Sequence, residues 1–98
     1  MRKDAVVSRL WAAHVRAEFP PRLRGEELAG VDMVMLDADI AGCVVTWRAC
    51  HGSLDEGRRQ LMGRLLHDLD RVLPLLSDEQ ECAYYRRLRR LLELVATP

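Results

Sequence analysis

Apolar positions recur at helical spacing along most of the chain. Val6, Val7, Leu10, Trp11, His14 and Val15 gather on one face, with Ser8, Arg9, Ala12 and Arg16 opposite. This predicts a first amphipathic helix, capped by Asp4 and running to about Glu18. Pro20-Pro21 stops it, because the first proline disfavours the helical region for Phe19. Phe19–Gly25 reads as a loop. Glu26 and Glu27 suit the positive end of a helix dipole, so a helix is expected to begin near Glu26, with Gly30 as its weak point.

Two later stretches carry clear start signals. Ser53-Leu54-Asp55-Glu56 and Ser77-Asp78-Glu79-Gln80 both read as capping boxes, the serine accepting from the backbone and the Glu56 or Gln80 side chain three residues on reaching back. After the first, Leu54, Leu61, Met62, Leu65, Leu66, Leu69, Val72 and Leu73 form an inward stripe that Pro74 closes. Asp55–Arg59 and Arg64–Asp68 are spaced as outer ion pairs. After the second, Cys82, Tyr84, Tyr85, Leu88, Leu91, Leu92 and Val95 point inward in a helix to about Val95. These two form an antiparallel helical hairpin.

Between the first helix and this hairpin lies the most apolar stretch, Val31–His51, ended by Gly52. A hairpin is one reading, Val31–Leu36 and Cys43–Arg48 around DADIAG, helped by Val44, Val45 and Thr46. The helical projection is more orderly. One stripe holds Met33, Leu36, Ile40, Cys43, Val44 and Trp47; a second holds Val34, Met35, Ala38, Ala41, Gly42, Val45 and Ala49. Two polar seams separate them, Asp32, Asp39 and Thr46 in one, Asp37 and Arg48 in the other. Such a helix would be covered from two sides. The expectation is an all-α, single-domain four-helix bundle over residues 1–98, with residues 31–51 as its central apolar helix.

Composition narrows the function classes more than it selects one. Lys+Arg and Asp+Glu are both 15 and the net charge is zero, so no whole-chain field draws nucleic acid. The cations are fourteen arginines and Lys3, a bias that points to a GC-rich bacterial genome. Cys43, Cys50 and Cys82 have no metal-type spacing. On a helix the first two are separated by about 10.5 Å of rise, too far for a disulfide. They read as small buried thiols of a cytoplasmic protein. The N-terminus has no apolar signal-peptide core, and the acids within Val31–His51 argue against a membrane span.

Four groups of side chains are candidates for chemistry. Asp32, Asp37 and Asp39 are carboxylates in an apolar stretch, each needing a partner if buried. On a helix Asp37 and Asp39 diverge by about 160°, so they cannot share one ion; in the hairpin they could. Arg48, in the same seam as Asp37, is an ion-pair candidate. His14 and Glu18 have a metal-ligand spacing on the first helix, but no second such pair accompanies them. Cys50-His51 does not converge as a nucleophilic pair on a helix, where neighbours project about 100° apart. Arg86, Arg87, Arg89 and Arg90, preceded by Tyr84 and Tyr85, suit phosphate contact, an acidic partner, or the dipole of the last helix, with some of them reaching acids on the central helix. No zinc pattern, phosphate loop or nucleophile elbow is present, and no cofactor is implied.

Together these features favour a small helical interaction or regulatory module that binds another protein or a second copy of itself. Nucleic-acid binding through Arg86–Arg90 is the alternative in a second class. A metal- or small-molecule-dependent enzyme using Asp32, Asp37 and Asp39 is the third.

Overall fold

The computed structural model describes residues 2–97. Four helices carry the fold: α1 (Lys3–Arg16), α2 (Met33–Ala49), α3 (Glu56–Val72) and α4 (Glu79–Ala96). Two-residue strands β1 (Glu27–Leu28) and β2 (Val31–Asp32) precede α2, and 3-10 turns fill Pro21–Leu23 and Leu73–Leu75. The all-α reading holds, and the stretch after Asp32 is helical rather than a hairpin.

The helix expected near Glu26 is instead a small antiparallel pair, Glu27 opposite Asp32 and Leu28 opposite Val31. Ala29 and Gly30 both have positive φ, 52° and 79°, the backbone required by a two-residue hairpin turn. The Arg71 guanidinium donates to the Ala29 carbonyl and ties this turn to α3. Gly30 therefore marks a reversal, not a weak point within a helix.

Helix ends explain several other departures. Asp4 lies inside the first turn of α1, with Arg2 at the cap position; its carboxylate accepts from the Ala5 N–H. The arginine of Arg2 donates to it at 3.2 Å and, as the largest cause, holds the Asp4 carboxyl below its ordinary range. Asp55 and Asp78, not Ser53 and Ser77, cap α3 and α4, accepting from the Arg58 and Glu81 N–H groups at 2.7 and 3.0 Å. A carboxylate at these sites satisfies an orphan N–H and also meets the positive end of the dipole, which a serine hydroxyl does less strongly. With Asp55 committed to the cap, Arg59 donates to the Leu54 carbonyl instead, and Asp68 sits 3.7 Å from Arg71 rather than pairing with Arg64.

The C-terminus of α2 closes on two residues of positive φ, His51 at 54° and Gly52 at 88°. Gly52 N–H donates to Trp47 O at 2.8 Å and His51 N–H to Arg48 O at 3.4 Å, the paired bonds of a Schellman end. His51 thus holds the left-handed position that a glycine usually fills.

Packing is organised by α4, which lies against α1, α2 and α3, while α2 also packs on α3. α4 buries Tyr84, Tyr85, Leu88, Leu91, Leu92 and Val95 against Val7 of α1, the Met33–Val44 stripe of α2, and Met62, Leu65, Leu69 and Val72 of α3. The two-sided covering expected of α2 does not occur. Its neighbours meet the stripe holding Met33, Leu36, Ile40, Cys43 and Val44 and the edges beside it, because α1 seats on α4 rather than across the far side of α2. Val15, expected inward, is 61% exposed in the last turn of α1. Of the three cysteines only Cys43 is buried; burial raises its thiol pKa, whereas Cys50 is exposed.

Candidate interaction surface

The second apolar stripe of α2 faces solvent. Val34, Met35 and Val45 are 41, 53 and 50% exposed; Ala38 and Ala49 are exposed, and Ala41 and Gly42 half-buried. Met35, Ala38, Gly42, Val45 and Ala49 follow one another at steps of three and four, the spacing of a helix–helix seam. No charged residue belongs to that line, although the Arg58 guanidinium reaches in from α3 beside Gly42. Arg48 borders it on the α1 side, and Asp39 with Thr46 on the α3 side. A surface helix of a closed domain normally turns polar residues outward; α2 does not.

Gly42 sharpens the point. A Cβ built there would meet only the Arg58 guanidinium, at 3.7 Å, an ordinary contact distance. Packing within the chain does not require the glycine, and a glycine inside a helix costs about 1 kcal/mol relative to alanine.

The other edge of α2 is held by a polar clasp. Asp37 lies between α1 and α4, with His14 Nε2 3.0 Å from its Oδ1 and the Tyr84 hydroxyl donating to its Oδ2 at 2.7 Å. The His14 N–H is close to Oδ1 but not aligned with it, and His14 Nδ1 is buried without a partner. Tyr85 donates to the Met33 carbonyl at 2.6 Å. Aromatic packing closes the clasp: the His14 ring is 5.0 Å from Tyr84 and 5.6 Å from Trp11, and Phe19 stands edge-on to Tyr84 at 5.7 Å. Burial, followed by the hydrogen bond to Asp37, pushes the Tyr84 hydroxyl pKa well above its ordinary value. For Tyr85 burial dominates and the Asp37 charge follows, in the same direction. These contacts join three helices around largely buried side chains, which suits docking of helices.

The candidate carboxylates do not converge. Asp32 caps α2 by accepting from the Met35 N–H at 3.0 Å. Asp37 serves the clasp. Asp39 is half-buried at the α2–α3 edge and, among the described residues, has no hydrogen-bonded or ion-paired partner. His14 turns to Asp37 and does not meet Glu18, which lies exposed beyond the end of α1. Arg48 is exposed; instead of pairing with Asp37 it lines an open cleft of about 640 Å³ with Arg2, Lys3, Trp47 and His51. Among the described residues no group of three or more His, Cys, Asp or Glu is placed to hold a metal ion, and no helix is long and apolar enough to cross a membrane.

The arginine run divides into separate roles. Arg89 donates through Nε and Nη2 to Asp70 at 3.0 and 2.8 Å and reaches Glu93 at 2.9 Å, so the acids it meets lie on α3 and α4, not on α2. Arg87 lies over the Tyr84 ring at 5.7 Å. Arg86 and Arg90 are exposed. Both tyrosines are buried and offer no face for stacking a base.

Sequence reasoning missed one buried charge. Glu81, 4% exposed, pairs with Arg22 Nε at 3.1 Å and anchors the Pro21–Leu23 turn on α4. Its position, four residues before Tyr85 and seven before Leu88, already placed it on the inward face.

No family model matches the chain, and a search of curated proteins and of solved structures found no match.

Proposed function

We propose that the chain is a protein-interaction module that docks through the outward face of α2. The observation that carries this is the outward line Met35, Ala38, Gly42, Val45 and Ala49, exposed except at the half-buried Gly42, on a helix whose opposite side is already packed. Contiguous exposed apolar surface at seam spacing supports docking on another helix. The Asp37 clasp supports it from behind, since it holds α2 rigidly against α1 and α4 and leaves the outward face preformed.

A photo-reactive phenylalanine analogue at Val34, on the margin of the seam, reports its occupant in cells. The same analogue at Arg86 samples the outer face of α4. Protein adducts are expected from position 34 and not from 86. Adducts from 86 alone would move the docking surface to the arginine run and reject this reading.

A further inference from the structure

We infer that the partner of this face is a second copy of the same chain, the two α2 helices packing antiparallel about Gly42. This rests on the docking reading above and names its occupant.

The argument is the match of the face to itself. Read along α2, the seam is Met35, Ala38, Gly42, Val45, Ala49. Reversed on a second copy about Gly42, Met35 stands opposite Ala49, Ala38 opposite Val45, and Gly42 opposite Gly42. Every large side chain then meets a small one, as an interdigitated interface requires. A parallel pair in register would set Met on Met and Val on Val, leaving the alanine and glycine layers empty.

Charges agree with the reversed arrangement. Asp39 of one copy lies opposite Thr46 of the other, a hydroxyl that can donate to it, and Arg48 lies opposite Val34. The two copies of Asp39 are separated by about 9 Å along the axis. Opposed helix dipoles attract, and a chain of zero net charge carries no overall repulsion against its copy.

Gly42 then acquires the role that packing within the chain does not give it: with no Cβ, and with the flexible Arg58 side chain beside it swung aside, it lets the two backbones approach where they cross. The arrangement is a two-fold, self-complementary interface. One helix of this length offers a seam about 25 Å long, at the small end of stable interfaces, so the pair is expected to dissociate on dilution through the micromolar range.

Sedimentation equilibrium on the purified chain tests it. The expected result is a monomer–dimer equilibrium, shifted at least tenfold toward monomer by Ala38→Glu and by Gly42→Leu. Ala38 is exposed and Gly42 is half-buried beside the flexible Arg58 side chain, clear of the apolar core, so the circular dichroism and the unfolding midpoint of the dilute chain should be retained. In a Cys50→Ser background, a mixture of Met35→Cys and Ala49→Cys chains should oxidise to a cross-linked pair, and Met35→Cys alone should not. A wild-type chain that stays monomeric at high concentration overturns the proposal, as does a dimer indifferent to both substitutions or one cross-linked by Met35→Cys alone. If the chain is monomeric while Val34 still captures a different protein in cells, self-pairing fails and the docking reading stands; no adduct at Val34 removes that reading as well.

Discussion

α2 and α4 are nearly equal in length, 17 and 18 residues, and they reverse what their compositions suggest. α2 is apolar almost all round, yet half of it faces solvent. α4 carries four arginines in five positions, yet it is the helix on which the other three pack. Apolar content states how much surface a helix would gain by being covered. Whether it is covered depends on how many neighbours the chain can bring to it. A strict stripe lets α4 be touched by three helices on adjoining sectors while Arg86 and Arg90 stay exposed and Arg87 and Arg89 lie at the margins. α2 has no such stripe to choose a side, and its neighbours cover one side only.

Truncation should separate the two helices most strongly. Leu88→Ala empties a fully buried site on α4 and is expected to destabilise the chain by about 3–4 kcal/mol in urea unfolding. Met35→Ala on the open face of α2 should change the dilute chain by less than about 0.5 kcal/mol. Equal losses would mean that the outward face is covered within the chain.

Next in size is the clasp that joins them. Asp37→Ala leaves His14 and the Tyr84 hydroxyl facing each other without the carboxylate, and should cost about 2–4 kcal/mol. Asp39→Ala, two residues on and without a bonded partner among the described residues, should be nearly silent. The same comparison tests the enzyme reading, which required these two acids to act together.

Alkaline pH probes the clasp from the α4 side. Tyr84 and Tyr85 have hydroxyl pKa values raised in the folded chain above the ordinary value of 10.0. Between the two values the folded state holds protons that the unfolded state has lost, so stability is fully present below about pH 10 and falls as pH rises beyond it. The limiting slope is about 1.4 kcal/mol per pH unit for each tyrosine. Urea midpoints taken from neutral to strongly alkaline pH should show the fall, and tyrosinate absorbance should appear only as the chain unfolds. These are the only two tyrosines, so the signal is unambiguous. Tyrosinate appearing near pH 10 in a folded chain would mean that the hydroxyls are open to water.

The smallest effect expected is a gain. Gly42→Ala should raise the stability of the dilute chain by about 0.5–1 kcal/mol, because the new Cβ has room and the helix propensity improves. Loss of stability at low concentration would show a steric need for the glycine within the chain.

Much of this architecture was legible from local rules. Three-to-four spacing placed α1, α3 and α4, Pro74 marked the end of α3, and the orderly projection of residues 31–51 favoured α2 over a hairpin. Local signals misled where two residues competed for one backbone site, as Ser53 with Asp55 and Ser77 with Asp78. They also misled at Glu26–Val31, where acidic residues imitated a helix start and a two-residue turn decided otherwise. The candidate acids were visible as anomalies, but their partners were not. Asp37 meets His14 and Tyr84, residues 23 and 47 positions away, and no periodicity reports on such distances.

What the sequence determined alone is therefore the set of helices, their inward stripes, and the presence of two apolar stripes on α2. Each follows from backbone sterics and from side-chain spacing within a few turns. Tertiary structure decided which helix became the hub, that the three acids part ways, and that the second stripe of α2 stays open. Those outcomes depend on where α1 comes to rest, and a choice between seating on α4 or across α2 is settled by packing over the whole chain, not by any pattern within one segment.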